Sequence, residues 1–253
     1  MGRCVRSGNP ISAPLSSPAE LRSRVGGSGS RTWSVSIVEG GASELLGDSV
    51  PSDTRELRVC QVTRPSLVMG STQPQSHLDS NAASQIEVVR RRSGGGAVLL
   101  MPGEAVWVEI SVPHGDPLWE PDIGRAFWWL GELWAAVLAS LGEGPLSLHR
   151  GKPVGGRWSS YCCFAGLGSG EITAKGHKVL GISQRRTRQG SLFQCALALR
   201  SRPSELIGLL ALSESERPEA LAALEQVAGS GQVIDRTAAE VQGALLEFFP
   251  ATA

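Results

Sequence analysis

Val88-Val89-Arg90-Arg91-Arg92-Ser93-Gly94-Gly95-Gly96-Ala97-Val98-Leu99-Leu100 joins two apolar runs through three arginines, a serine and three glycines. A chain that only had to turn here would need one glycine. Three in succession each cost roughly 0.5–1 kcal/mol relative to Ala wherever a regular element is wanted. In return they let the backbone approach a ligand closely, with N–H groups free to cradle an anion or a carboxyl group. The neighbouring arginines supply forked donors suited to carboxylate or phosphate. Two readings fit these residues: a small-molecule site with an anionic end, and an ordinary basic, glycine-rich hairpin connection.

Working outward, short strands dominate the flanking sequence. Alternation at 33–37 marks a half-buried strand, and 57–62, 66–69, 86–89, 97–101 and 105–110 read as further strands. Short helical pieces are expected at 42–46 and 81–84. The strongest helix spans 122–141, where Ile123, Phe127, Leu130, Trp134, Val137 and Leu141 recur at three- or four-residue spacing and Gly142 sits where a C-terminal cap belongs. Trp128 and Trp129 broaden its apolar face and are read as core. Strands are again expected at 158–165, 178–184 and 192–199, with helices from 204 onward. Thr237 and Glu240 form a capping-box pair there, and Pro250 stops the last helix. Strands, one inserted helix, more strands and then helices make an α+β domain from 33 to 253. Residues 1–32 are rich in Gly, Ser, Pro and Arg with Glu20 as their one acid, and are expected to be a disordered tail. An Arg- and Ser-rich, acid-poor opening also fits an organelle transit peptide.

Composition removes several function classes. Formal net charge over the 253 residues is zero, so there is no chain-wide electrostatic case for nucleic acid or an anionic membrane. No run of 18 or more apolar residues occurs. The five cysteines (Cys4, Cys60, Cys162, Cys163, Cys195) lack framework or zinc-ligand spacing, which points to reduced thiols in a cytoplasmic protein. His77, His114, His149 and His177 are not at metal-ligand spacing from one another, and no metal site is expected. GxSxG, P-loop and HExxH patterns are absent.

Lys178 stands apart. It follows Gly176-His177 and leads an apolar strand, Val179-Leu180-Gly181-Ile182, so it carries a compact positive charge into whatever that strand lines. A solvated lysine at a turn is the alternative. Cys162 and Cys163 lie upstream of it, either as two small buried residues or as a thiol whose thiolate a nearby lysine favours.

RRRSGGGAV (90–98) followed by GHKVLGISQRR (176–186) resembles the lipoate–protein ligase and lipoyl/octanoyl transferase family, which shares its catalytic domain with biotin protein ligases. VMGSTQP (68–74) and CFAGLGSGEIT (163–173) extend the likeness over nearly all of the chain from Trp33. The resemblance implies a mixed or antiparallel sheet flanked by helices, similar to class II aminoacyl-tRNA synthetases. It implies an acyl and activating-nucleotide site lined by Arg91, Ser93, Gly94, Gly95 and Gly96, with Ala97 and Gly181 beside them. Lys178 would hydrogen-bond the reacting acyl carbonyl or acyl phosphate. The implied activity is attachment of a lipoyl or octanoyl group, through an amide, to a lysine of a lipoyl domain, with lipoate as substrate and ATP and Mg²⁺ as the activating pair. Implied acceptors are the lipoyl domains of 2-oxoacid dehydrogenases or the glycine cleavage H protein.

Three departures bear on ATP. Leu99-Leu100-Met101-Pro102 follows the glycines where ligases of the family place a His or Asp. CFAGLGSGEIT lacks their Asn-Asp pair, and only helical residues follow Arg200 in place of an accessory domain. They point toward the transferase branch, in which a cysteine takes octanoyl from acyl carrier protein as a thioester. Cys163 is then the expected nucleophile, with Cys162 as the substitute candidate and Cys195 as core. A non-catalytic lipoate or partner binder is the remaining reading. Biotin ligation is set aside, because no GRGRxGR-like loop is present.

Overall fold

In a computed structural model, which describes residues 16–26, 32–47, 50 and 53–250, the strand Ala105–Pro113 forms the middle of the molecule. Its even positions, Val106, Val108, Ile110 and Val112, are fully buried in one apolar cluster, and Trp107 is buried in another. A strand buried on both faces needs a layer on each side.

Numbered along the chain, this strand is β6. It belongs to a seven-stranded sheet in the order β1-β2-β6-β12-β11-β10-β7. The ranges are Trp33–Gly40 (β1), Arg55–Val62 (β2), Gly190–Ala198 (β12), His177–Arg186 (β11), Ile172–Ala174 (β10) and Leu146–Leu148 (β7). β1 and β2 run parallel, and the other neighbours are antiparallel. Helices α1 (Pro18–Gly26), α4 (Trp128–Ser140) and α7 (Ala238–Leu246) share the cluster on one face of this sheet.

Against the other face lies a three-stranded sheet in the order β4-β3-β5, formed by Glu87–Arg90, Ser66–Met69 and Val98–Leu100. Val68 and Leu100 meet Trp107 of the large sheet, while Leu67 and Met69 pack with α5 (Pro203–Gly208) and α6 (Glu216–Ala228). Short helices α2 (Ala42–Leu45) and α3 (Ser80–Ala83) complete this side. Two-residue strands pair as β8 with β9 (Val154–Gly155, Gly166–Leu167) and as β13 with β14 (Arg200–Ser201, Gly231–Gln232). The α+β class with a mixed sheet flanked by helices is the one expected.

Three local expectations change. The opening segment is not structureless throughout. Ser17 and Glu20 exchange capping bonds, Ser17 N–H to Glu20 Oε2 at 2.7 Å and Glu20 N–H to Ser17 Oγ at 3.3 Å. The helix they start buries Leu21 and Val25, and the Val25 carbonyl accepts from Trp33 Nε1 and from Arg55 Nη1. Residues 1–15 lie outside the described ones. The helix expected from 122 begins as a 3₁₀ turn at Arg125–Phe127 and becomes α-helical only at Trp128, leaving Ile123 exposed. The strand expected at 158–165 is instead a pair of 3₁₀ turns, Arg157–Ser160 and Cys163–Ala165, because Trp158, Cys162 and Ala165 bury at helical rather than alternate spacing. The Thr237–Glu240 capping box and the left-handed Gly142 after α4 are as read.

Glu87 pins the strand that leads into the glycine loop. Burial pushes its carboxyl up, but hydrogen bonds from the Ser43 and Ser66 hydroxyls and the Ala42 and Ser43 amides more than reverse this and leave it at about 2, against an ordinary 4.5. A depressed folded-state pKa makes its contribution to stability present above about pH 4.5 and lost as the pH falls toward 2. Acid unfolding followed by tryptophan fluorescence is expected to show a shallower limb in that window for Glu87→Gln.

Candidate active site

The residues singled out in sequence converge between the two sheets. Gly94, Gly95 and Gly96 share one cavity with Cys163, Glu171 and Lys178. A second, apolar groove runs between Val98 and Leu100 above and Gly181 and Ala196 below, and it also holds Arg91. Cys163, Ile182 and Ser183 line both, so the polar cavity opens into the groove.

Register explains the groove. Ala196 of β12 stands opposite Gly181 of β11 and Trp107 of β6, and Ala198 stands opposite Ala105. A row of glycine and alanine on one sheet face leaves room that larger side chains would fill. A Cβ at position 181 would sit 3.3 Å from Phe164 Cε2 and 3.7 Å from Cys163 Sγ, so the sulfur lies over this strand.

The three glycines have three different tasks. Gly94 has open space beside it. Gly95 takes φ +100°, a conformation L side chains rarely adopt. Gly96 lies against the backbone of Tyr161 and Cys162, where a Cβ would approach Cys162 N to 2.6 Å. Ala97 is fully buried, with its N–H donating to Tyr161 O at 2.8 Å and its carbonyl accepting from Cys163 N–H at 3.0 Å. The glycine loop and the cysteine turn are thereby tied together.

Arg91 does not present its fork outward as expected. Its Nη1 donates to Val68 O at 3.1 Å, and Nη2 donates to Gly94 O at 2.7 Å and Gly96 O at 2.9 Å. It lines the groove but shapes the loop from inside. Ser93 is also buried, with its hydroxyl 2.8 Å from Ser183 Oγ and 3.2 Å from Gln194 Oε1. Gln194 Nε2 donates onward to Glu109 at 2.7 Å, and Arg58 donates to the same carboxylate at 2.6 Å. Burial raises the Glu109 pKa against these partners.

Lys178 is 1% exposed and its ammonium has a partner for each hydrogen: Cys163 O at 2.9 Å, Gly166 O at 2.8 Å and Glu171 Oε2 at 2.6 Å. Its charge also sits 5.1 Å from the centre of the Phe164 ring. Glu171 accepts in addition from Gly168 N–H at 2.5 Å and Ile182 N–H at 3.1 Å. Sequence reasoning missed Glu171, Ser183, Gln194 and Glu109. The one available signal was a charged or amide side chain inside an apolar strand, as in VWVEISV and LFQCAL.

Of the two adjacent cysteines, Cys163 is half-buried and faces both cavities, whereas burial pushes the Cys162 thiol up to about 12. Cys195 is likewise core, with its thiol raised to about 12 by burial. Among the described residues no cluster of three or more His, Cys, Asp or Glu side chains is placed to hold a metal ion, and no helix is long and apolar enough to cross a membrane.

Solved structures share this fold. An archaeal bipartite lipoate protein ligase from Thermoplasma acidophilum, described with its E2 lipoyl domain, superposes with a TM-score of 0.65 at 17% identity over 86% of this chain and 82% of that one. A lipoate-protein ligase A bound with ATP gives 0.62 at 18% identity, covering 86% and 83%. P. falciparum LipL1 in complex with lipoate gives 0.56 at 13% identity, covering 85% and 61%. No curated protein matches the chain by sequence. Residues 42–249 match the family described as the lipoyl protein ligase A/B catalytic domain. The chain belongs to that family and is an acyl ligase or transferase enzyme.

Proposed function

We propose that this enzyme attaches a lipoyl or octanoyl group, through an amide, to a lysine of a lipoyl domain such as those of 2-oxoacid dehydrogenases or the glycine cleavage H protein. The observation that carries the reading is the meeting of a glycine-lined cavity, a buried ammonium and an apolar groove at Cys163. An acyl chain in the groove would bring its carbonyl to the end where Cys163, Ser183 and the Lys178 charge converge. The acceptor amine would enter from the open side beside Gly94. A fixed positive charge in a water-poor site offsets the negative charge that builds on an acyl oxygen as the carbonyl is attacked.

Two activation routes reach the same amide. In one, lipoate is activated by ATP, and the structures of relatives with ATP and with lipoate support it. In the other, Cys163 attacks an octanoyl thioester on acyl carrier protein and expels the carrier thiolate. The acceptor amine then attacks the Cys163 thioester, forming the amide, and its proton goes to the departing Cys163 sulfur. The half-buried sulfur at the junction of the two cavities favours this second route.

Incubation of the protein with a lipoyl domain tests the reading, with the acceptor mass measured after lipoate plus ATP and, separately, after octanoyl-carrier thioester without nucleotide. A mass gain only with ATP identifies a ligase, and one from the thioester alone identifies a transferase. Lipoate binding with no gain in either arm overturns the catalytic reading in favour of a binding domain.

A further inference from the structure

We propose that Ser183 is a catalytic hydrogen-bond acceptor for the attacking amine, and that the buried Glu109 is the positioning residue that makes it one. The role rests on the amide-forming reading of the site, whose amine step both activation routes share.

Register builds the device. Arg58 of β2, Glu109 of β6, Gln194 of β12 and Ser183 of β11 stand opposite one another in turn, so one polar row crosses four strands of the large sheet. Cys60, Trp107, Ala196 and Gly181 form the next row, two residues along each strand. Two residues of strand span about 6.6 Å. The Cys163 sulfur lies over Gly181, and Ser183 lines the same two cavities as Cys163. The gap suits one amine nitrogen, with a near-attack contact of about 3–3.5 Å to an acyl carbon on one side and a hydrogen bond of ~2.9 Å to Ser183 Oγ on the other.

The direction of hydrogen bonding along the row is fixed from its far end. Glu109 is 1% exposed, and both of its oxygens face N–H donors: Gly47 N–H at 3.0 Å from each, Gln194 Nε2 at 2.7 Å from Oε1 and Arg58 Nη1 at 2.6 Å from Oε2. A carboxylate only accepts, so the Gln194 amide turns its nitrogen to Glu109 and its oxygen to Ser93. The Ser93 hydroxyl has one hydrogen and two oxygens in reach, Gln194 Oε1 at 3.2 Å and Ser183 Oγ at 2.8 Å. Gln194 Oε1 cannot donate, so the Ser93 hydrogen goes to it and the shorter contact is made by the Ser183 hydrogen. Ser183 keeps its lone pairs for the cavity that holds Gly94. An amine nitrogen entering there donates one N–H to Ser183 Oγ, which aims its own lone pair at the acyl carbon. The carbon–nitrogen bond forms, the bond from the acyl carbon to its leaving group breaks, and the proton the nitrogen sheds passes to that group. Ser183 exchanges no proton.

Glu109→Gln reverses the row. Its new NH2 must face either Arg58 or Gln194. Arg58 has no acceptor to offer, so Gln194 flips instead. Ser93 then accepts from Gln194 and donates to Ser183, whose hydrogen turns toward the cavity.

The full chain, loaded from an octanoyl-carrier thioester or from octanoate with ATP and freed of excess donor, is mixed rapidly with a lipoyl domain. Amide formation in a single turnover is followed by mass. Ser183→Ala is expected to lower the maximal rate about 10–100-fold while the half-saturating acceptor concentration changes less than about threefold. Glu109→Gln is expected to lower the rate as much in the wild-type background, but by less than about threefold when Ser183→Ala is already present. An unchanged maximal rate in Ser183→Ala overturns the proposal, whether or not Glu109→Gln folds. A Glu109→Gln loss that persists beside Ser183→Ala overturns the positioning role, since a merely structural residue would weaken both backgrounds alike. Wild-type protein that forms no amide from either donor removes the acyl-transfer reading, and the amine acceptor with it.

Discussion

Replacing Lys178 by methionine is expected to lower lipoyl-domain modification by on the order of 10²–10³ and to destabilise the chain by about 3–5 kcal/mol. The two effects have separate causes. The ammonium is buried and paired with Glu171, itself 3% exposed, so removing the lysine strands a carboxylate that keeps only its two backbone N–H donors. The rate effect comes from the lost charge at the acyl end of the groove. Because all three ammonium hydrogens already have acceptors, a substrate oxygen either displaces one of them or feels the charge through space. The double variant Lys178→Met/Glu171→Gln removes both charges, and replacing a whole buried pair is often neutral for stability. It is expected to recover most of the urea midpoint and none of the rate. Recovery of the rate to within about threefold would show that the ammonium is purely structural.

Some of this was written in the chain for any reader. The strand at 66–69 is delimited by Pro65 and Gly70, and the Thr237–Glu240 box starts the last helix where its spacing says. The convergence of the glycine loop with Lys178 followed from the family resemblance rather than from either segment alone. The role of Arg91 was not legible, because its three acceptors are backbone carbonyls and a carbonyl leaves no mark in residue identity. Seen as sequence, three arginines beside three glycines suggest an anion. Folded, one of those arginines is the clamp that holds the glycines in shape.

The opening helix was legible in principle. Ser17-Pro18-Ala19-Glu20 carries an N-cap, a proline at the first helical position and a capping-box glutamate, but only Leu21 and Val25 follow as an apolar pair. One i, i+4 pair is too short a pattern to stand out from a Gly- and Ser-rich background. The turn around the cysteines failed for a different reason. Trp158, Cys162 and Ala165 are spaced for a helical face, yet the segment YCCFA is apolar enough to pass for a buried strand. Only the tertiary tie between Ala97 and Cys163 shows why it is neither.

The larger effect is expected at Cys163. With an octanoyl thioester as donor, Cys163→Ser should lower acceptor modification by on the order of 10⁴ or more, the scale on which removal of a nucleophile acts. Serine keeps the shape of the side chain over Gly181 but replaces a sulfur nucleophile by a far weaker alcohol. Cys162→Ala is the matched control. Its thiol is buried and raised to about 12, away from the cavities that Cys163 lines, so its loss should change the rate less than about threefold once any change in stability is allowed for. The wild-type protein mixed with donor and no acceptor should gain the mass of one octanoyl group, released by hydroxylamine and absent from Cys163→Ser. If Cys163→Ser retains the thioester-driven rate, sulfur takes no part and activation must come from outside the chain. If ATP with lipoate drives modification equally well in wild type and Cys163→Ser, the nucleotide route is the enzyme's own, and the sulfur at the groove junction is only part of the wall.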